Sequence, residues 1–145
     1  MKKILVLHGA GMEMRGKTQA AIDQWGTDTL DDYDRKIREY ADELGVEVET
    51  FHSNLEGEMV DKLYQAHKGD VDAAIINPAG YTTGYPALVG AIAEMRFPVI
   101  EVHLSNPMSR GAVSEIAPRS KGLLYGFGVI GYYLAMRGLL DALSA

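Results

Sequence analysis

Residues able to move protons or hold anions cluster in one short run, Glu101-Val102-His103-Leu104-Ser105-Asn106. In an extended chain, alternation turns Glu101, His103 and Ser105 to one face and Val102 and Leu104 to the other. A carboxylate two residues from a histidine can hold the imidazole and favour its charged form. That suits a general acid. The plainer alternative is a histidine satisfied at a strand end, with a serine opening the next turn.

A second polar stretch, Asn77-Pro78-Ala79-Gly80-Tyr81-Thr82-Thr83-Gly84, follows a very apolar run. Its amides and backbone N–H groups can bind a carboxylate or a hydroxyl, or they are simple turn chemistry. His8-Gly9-Ala10-Gly11 lacks the third glycine of a dinucleotide fingerprint and the acidic residue that should follow the second strand. No phosphate-binding P-loop is present. His52 and His67 have no metal-ligand spacing, and His67 near a helix end reads as structural. The expectation is no metal and no cofactor. Tyr132-Tyr133 and the methionines read as packing.

Short apolar runs alternating with helical patterns must position these groups. Strands are expected over Ile4–Leu7, Val46–Phe51, Ala73–Ile76, Val99–Leu104 and Leu123–Tyr125, the second at a sheet edge. Helices are expected over Leu30–Leu44, Leu55–His67, Pro86–Met95 and Val129–Leu143. Thr27, Asp28 or Thr29 could cap the first and Gly45 end it. Such alternation implies a parallel sheet with helices on both faces. Ligands then bind beyond the carboxyl ends of the strands. That rule selects the loops 8–26, 52–54, 77–85 and 103–110. The first is too long for an ordinary connection and reads as a mobile lid, carrying Glu13, Arg15, Lys17, Asp23 and Trp25.

The 145 residues suit one domain, 1–145, and 47% hydrophobic content is ordinary for a globular chain. A net charge of -6 argues against a nucleic-acid surface. Without cysteine there is no disulfide framework and no thiolate chemistry. The apolar run after Lys2-Lys3 is too short for a signal peptide, and no stretch is long enough to span a membrane. The expected location is cytoplasmic.

Taken together, these stretches resemble the type II dehydroquinases. The resemblance rests on Ile4-Leu5-Val6-Leu7-His8-Gly9, on His52 to Asp61 with its Ser-Asn-x-Glu-Gly-Glu pattern, and on Ile75-Ile76-Asn77-Pro78 with Tyr81-Thr82. It continues through Val99–Asn106 and Gly122–Tyr132, and so covers nearly the whole chain in order. It implies a flavodoxin-like three-layer α/β sandwich, a trimer-based dodecamer, and cofactor-free dehydration of 3-dehydroquinate through an enolate. The expected sheet has five parallel strands in the order 2-1-3-4-5.

Residue by residue, the resemblance makes His103 the general acid and Glu101 the carboxylate that orients it. Asn77 becomes a substrate-holding amide, and Ser105 with the N–H of Leu104 the carboxylate pocket. The other half of the family's site is altered. Thr18 falls on the lid arginine, and Asp23 or Trp25 on the lid tyrosine that removes the proton. Gly11 and Thr83 replace an asparagine and a histidine. Val89 and Gly90 replace an arginine and an aspartate, and Arg110 is an ambiguous match to a substrate-binding arginine.

The expectation is therefore a lyase with acid-base chemistry, acting on a small carboxylated polyol or cyclic ketone other than 3-dehydroquinate. Its replacement base would be His8, Asp23, Glu13 or Tyr85, with a His8–His103 pair preferred. A non-catalytic ligand-binding or assembly protein is the alternative.

Overall fold

The computed structural model describes residues 1–144. Five strands form one all-parallel sheet: β1 (Lys3–Ala10), β2 (Glu47–His52), β3 (Ala73–Ala79), β4 (Val99–His103) and β5 (Gly122–Tyr125). Their order is β2-β1-β3-β4-β5, as expected. Helix α1 spans Gln19–Trp25, α2 Leu30–Leu44, α3 Glu56–Lys68, α4 Pro86–Glu94 and α5 Ile130–Ser144. The result is a three-layer, flavodoxin-like α/β sandwich.

Strand alternation separates the core into two halves. Leu5, Leu7, Ala74 and Ile76 face α3 and α4, meeting Met59, Leu63, Leu88 and Ile92. Ile4, Val6, Ala73 and Ile75 face α2 and α5, meeting Tyr33, Ile37, Tyr132 and Met136. Each fully buried large apolar side chain contributes about 1.5–3 kcal/mol, so these layers hold the strand ends firmly. Helix α2 starts at the expected point: Thr29 and Asp32 form a reciprocal capping box, and Gly45 ends the helix at φ 70°.

Two strands run further than their apolar residues suggest. β1 continues through His8-Gly9-Ala10 and β3 through Asn77-Pro78-Ala79, pairing His8 with Asn77 and Ala10 with Ala79. Only glycine fits at position 9, because a Cβ there would lie 1.8 Å from the Pro78 carbonyl oxygen. The extension carries the polar Asn77 out to the edge of the sheet.

The segment read as a mobile lid contains two short helical elements. A 3-10 turn covers Met12–Met14, and Met12 is fully buried. Thr18 then caps α1, its hydroxyl accepting from the Ala21 N–H at 3.1 Å. The extra length of this loop is thus folded into a short helix above the strand ends.

Candidate active site

The carboxyl edge of the sheet opens into a cavity of about 620 Å³. Strand β3 contributes Asn77 and β4 contributes His103. The loop after β4 adds Leu104, Ser105 and Arg110, and the segment before α2 adds Arg15, Gln24 and Trp25.

His103 is oriented from behind. Its Nε2 lies 2.5 Å from Oε2 of Glu101, which is wholly buried. An ionised carboxylate only accepts, so Nε2 carries the hydrogen and Nδ1 is the nitrogen left for the cavity. Tyr125 donates to the same Glu101 oxygen at 2.9 Å, and Ser114 donates to the other at 3.0 Å. Three donors around one buried carboxylate offset its desolvation. Burial, then the Glu101 charge, push the Tyr125 phenol well above its ordinary pKa, so it remains a donor. The Tyr125 ring also meets the His103 ring edge-on, with centroids 4.8 Å apart.

Asn77 is buried, its Oδ1 accepting from the Ala79 N–H at 3.2 Å. Its Nδ2 donor has no partner among the described residues. Ala79 ends β3 at φ 46°, a left-handed conformation uncommon for a residue with a Cβ, which turns the chain sharply beneath the cavity.

Both other charged groups on the wall are cations. Arg110 NH1 donates to the Ser105 hydroxyl at 3.1 Å. With its amide oxygen turned to the guanidinium, Gln24 accepts from Arg110 Nε at 2.8 Å and NH2 at 3.3 Å. Arg15 is only 5% exposed, and its guanidinium carbon lies 3.9 Å from the centre of the Trp25 ring. Among the described residues, no Asp, Glu or Tyr lines the cavity. Such a wall favours an anionic ligand.

The structure therefore brings Asn77, Thr83, His103, Leu104, Ser105 and Arg110 to one cavity, with Glu101 directly behind. Of the two lid positions left open by the sequence, Trp25 reaches the cavity and Asp23 does not. Asp23 stays on the exposed side of α1, accepting from Gln19 at 2.7 Å.

The expectation for His8 is corrected. Alternation puts it on the side of Ile4 and Val6, where it is 1% exposed and its Nε2 pairs with Asp34 of α2 at 2.7 Å. It does not line the cavity. Nor do Glu13, Lys17 or Tyr85. Glu13 accepts from the Asn54 amide, Lys17 is exposed, and Tyr85 packs edge-on against Tyr81 at 4.8 Å between centroids. None of the four residues considered as a replacement base meets the space a substrate would fill.

Ser114 and Tyr125 were missed. Tyr125 was legible through register, since it lies beside His103 in the β4–β5 pairing. Ser114 sits in irregular chain and had no such signal. Among the described residues, no three His, Cys, Asp or Glu side chains are grouped to share a metal ion. No helix among the described residues is long and apolar enough to cross a membrane.

The model for dehydroquinase class II matches residues 2–140. The chain is 43% identical over 139 residues to the 3-dehydroquinate dehydratase of Syntrophotalea carbinolica, covering 94% of this chain and 93% of that protein. It is 41% identical over 145 residues to the 3-dehydroquinate dehydratase of Desulforudis audaxviator, covering 98% and 95%. Its structure is similar to the type II dehydroquinase of Butyrivibrio crossotus, with a TM-score of 0.88 and 30% identity over 99% of this chain and 98% of the other.

Proposed function

Because the chain belongs to the class II dehydroquinase family, we propose that it is a hydro-lyase that removes water from a cyclic hydroxy-keto acid, with 3-dehydroquinate as substrate. One observation carries the reading: the buried Glu101–His103 pair opens into a cavity walled by two guanidinium groups and no carboxylate among the described residues.

In 3-dehydroquinate one ring carbon carries both the carboxylate and the hydroxyl that departs. A methylene separates that carbon from the ketone. Ser105, the Leu104 N–H and Arg110 hold the carboxylate. This places the departing hydroxyl at His103, which gives it a proton through Nδ1 so that it leaves as water. Glu101 holds the ring by its Nε2–H, which leaves Nδ1 for the substrate. Asn77, whose Nδ2 has no partner among the described residues, faces the ketone side. The chemistry uses these side chains and solvent, and calls on no metal or cofactor.

A related hydroxy-keto acid is the second reading. It is favoured by Trp25, whose indole N–H only donates and so cannot act as a base at the cavity. Self-association as trimers or a dodecamer belongs to the same family reading. The exposed apolar Leu123, Phe127, Ile130 and Leu134 along β5 and α5 support it, and sedimentation reads it directly.

The test is the rise of enone absorbance when 3-dehydroquinate is added, with His103→Ala as the control. Turnover lost in that variant supports the reading. No turnover by the unaltered chain removes 3-dehydroquinate as substrate.

A further inference from the structure

Arg15 is a buried cation at the cavity with no ion pair among the described residues. It is nine-tenths buried, lines the cavity, and its NH1 has no hydrogen-bond partner among the described residues. Burying an unpaired charge is costly. By contrast, Arg110 is exposed and already engaged by Ser105 and Gln24. Stacking on Trp25 fixes the plane of the Arg15 guanidinium before any ligand arrives.

Its place is set by its neighbours. Arg15 follows the 3-10 turn that leaves β1, and β1 pairs with β3 through His8–Asn77 and Ala10–Ala79, so Arg15 stands with Asn77 at the β1–β3 side of the cavity. His103, Ser105 and Arg110 lie at or beyond the end of β4. A ring anchored by its carboxylate at the β4 side directs its ketone toward Asn77 and Arg15.

We propose that Arg15 is a catalytic residue that receives the negative charge of the enolate at the ketone oxygen. This rests on the dehydratase reading above. The methylene C–H bond breaks, its proton passes to solvent water, and its electron pair moves onto the ketone oxygen beside the guanidinium. The pair then returns to form the new C=C bond as the C–O bond breaks, and His103 supplies the proton for the departing water. His103 is reprotonated from solvent, so the net change is loss of one water.

With Arg15 in this role, the site can work without a carboxylate or phenol on the cavity wall among the described residues. Lowering the energy of the enolate makes the C–H more acidic, so a weak base suffices. A fixed donor aimed at a developing oxyanion is worth roughly 10²–10³-fold in kcat. A guanidinium held by Trp25 meets that charge without reorganising.

The experiment follows exchange of the methylene protons of 3-dehydroquinate for deuterium by NMR, beside dehydration, in the unaltered chain and in Arg15→Gln, Arg15→Lys and His103→Ala. His103→Ala is expected to keep exchange while losing dehydration. Arg15→Gln is expected to lose both, with kcat down about 10²–10³-fold and KM changed only a few-fold. Arg15→Lys, which keeps the charge, is expected to recover part of the loss. Arg15→Gln with kcat intact overturns the inference and leaves the dehydratase reading standing; a raised KM with kcat intact instead makes Arg15 a carboxylate anchor. Arg15-dependent exchange without dehydration overturns the dehydratase reading alone. Neither exchange nor dehydration by the unaltered chain overturns both.

Discussion

Glu101 accepts from His103 Nε2 at 2.5 Å while also accepting from Tyr125 and Ser114, so the imidazole is held by a carboxylate whose other contacts are fully occupied. The orientation of His103 is thus built into the core rather than induced by a ligand. Replacing Glu101 by Gln preserves size but removes the charge, and the amide nitrogen competes with the donors now facing it. We expect kcat to fall by about 10²-fold or more, with KM little changed. A steady-state comparison of the two proteins checks this; an unaltered kcat shows that Glu101 only packs.

Trp25, one of the two positions on which the family resemblance places a lid tyrosine, stands at the cavity beside Arg15. Trp25→Tyr and Trp25→Phe differ by one hydroxyl, so their ratio isolates a phenolic base from the loss of ring area. We expect the Tyr variant to turn over 3-dehydroquinate about 10-fold or more faster than the Phe variant, within the range ascribed to a positioned base. Equal rates would show that a base at this point cannot reach the methylene.

His8 is tied to Asp34 behind the sheet. His8→Asn should therefore leave kcat within a few-fold of the unaltered chain. It should lower stability by about 1 kcal/mol, because the partly exposed Asp34 carboxylate loses its hydrogen-bond partner. Chemical denaturation and kinetics on the same sample separate the two effects. A collapse of kcat with stability intact would return His8 to the chemistry.

How much of this was legible in the sequence depended on periodicity. The apolar runs Ile4–Leu7 and Ala73–Ile76 could only be buried strands, and sheet order followed from the family resemblance. The same alternation already fixes the face of His8, which shares the parity of Ile4 and Val6. Reading it as a loop residue hid that, because the strand continues past its last aliphatic side chain. Arg15 was not legible, since its burial depends on a 3-10 turn and on Trp25 ten residues later. Helix α1 left a faint signal in Thr18 followed by Gln19-Ala20-Ala21-Ile22, a capping residue ahead of good helix formers. It was outweighed by the glycines on either side.

Tyr132 gives an alkaline signature. Its hydroxyl is wholly buried, and burial raises its pKa above the ordinary 10.0. A raised pKa means the folded state keeps a proton that the unfolded chain releases. This contribution is fully present below pH 10 and is lost as pH rises through the folded value, at up to about 1.4 kcal/mol per pH unit. Tyr132→Phe should flatten this fall in denaturation experiments above pH 10. An identical slope in the variant would place the alkaline loss elsewhere.

The most direct measurement of the central claim is turnover of 3-dehydroquinate by the unaltered chain and by His103→Ala, followed through enone absorbance. The account predicts measurable dehydration by the former and a loss of about 10²–10⁴-fold in the latter. Dehydration that persists at an undiminished rate without His103, or no dehydration by the unaltered chain, would contradict it.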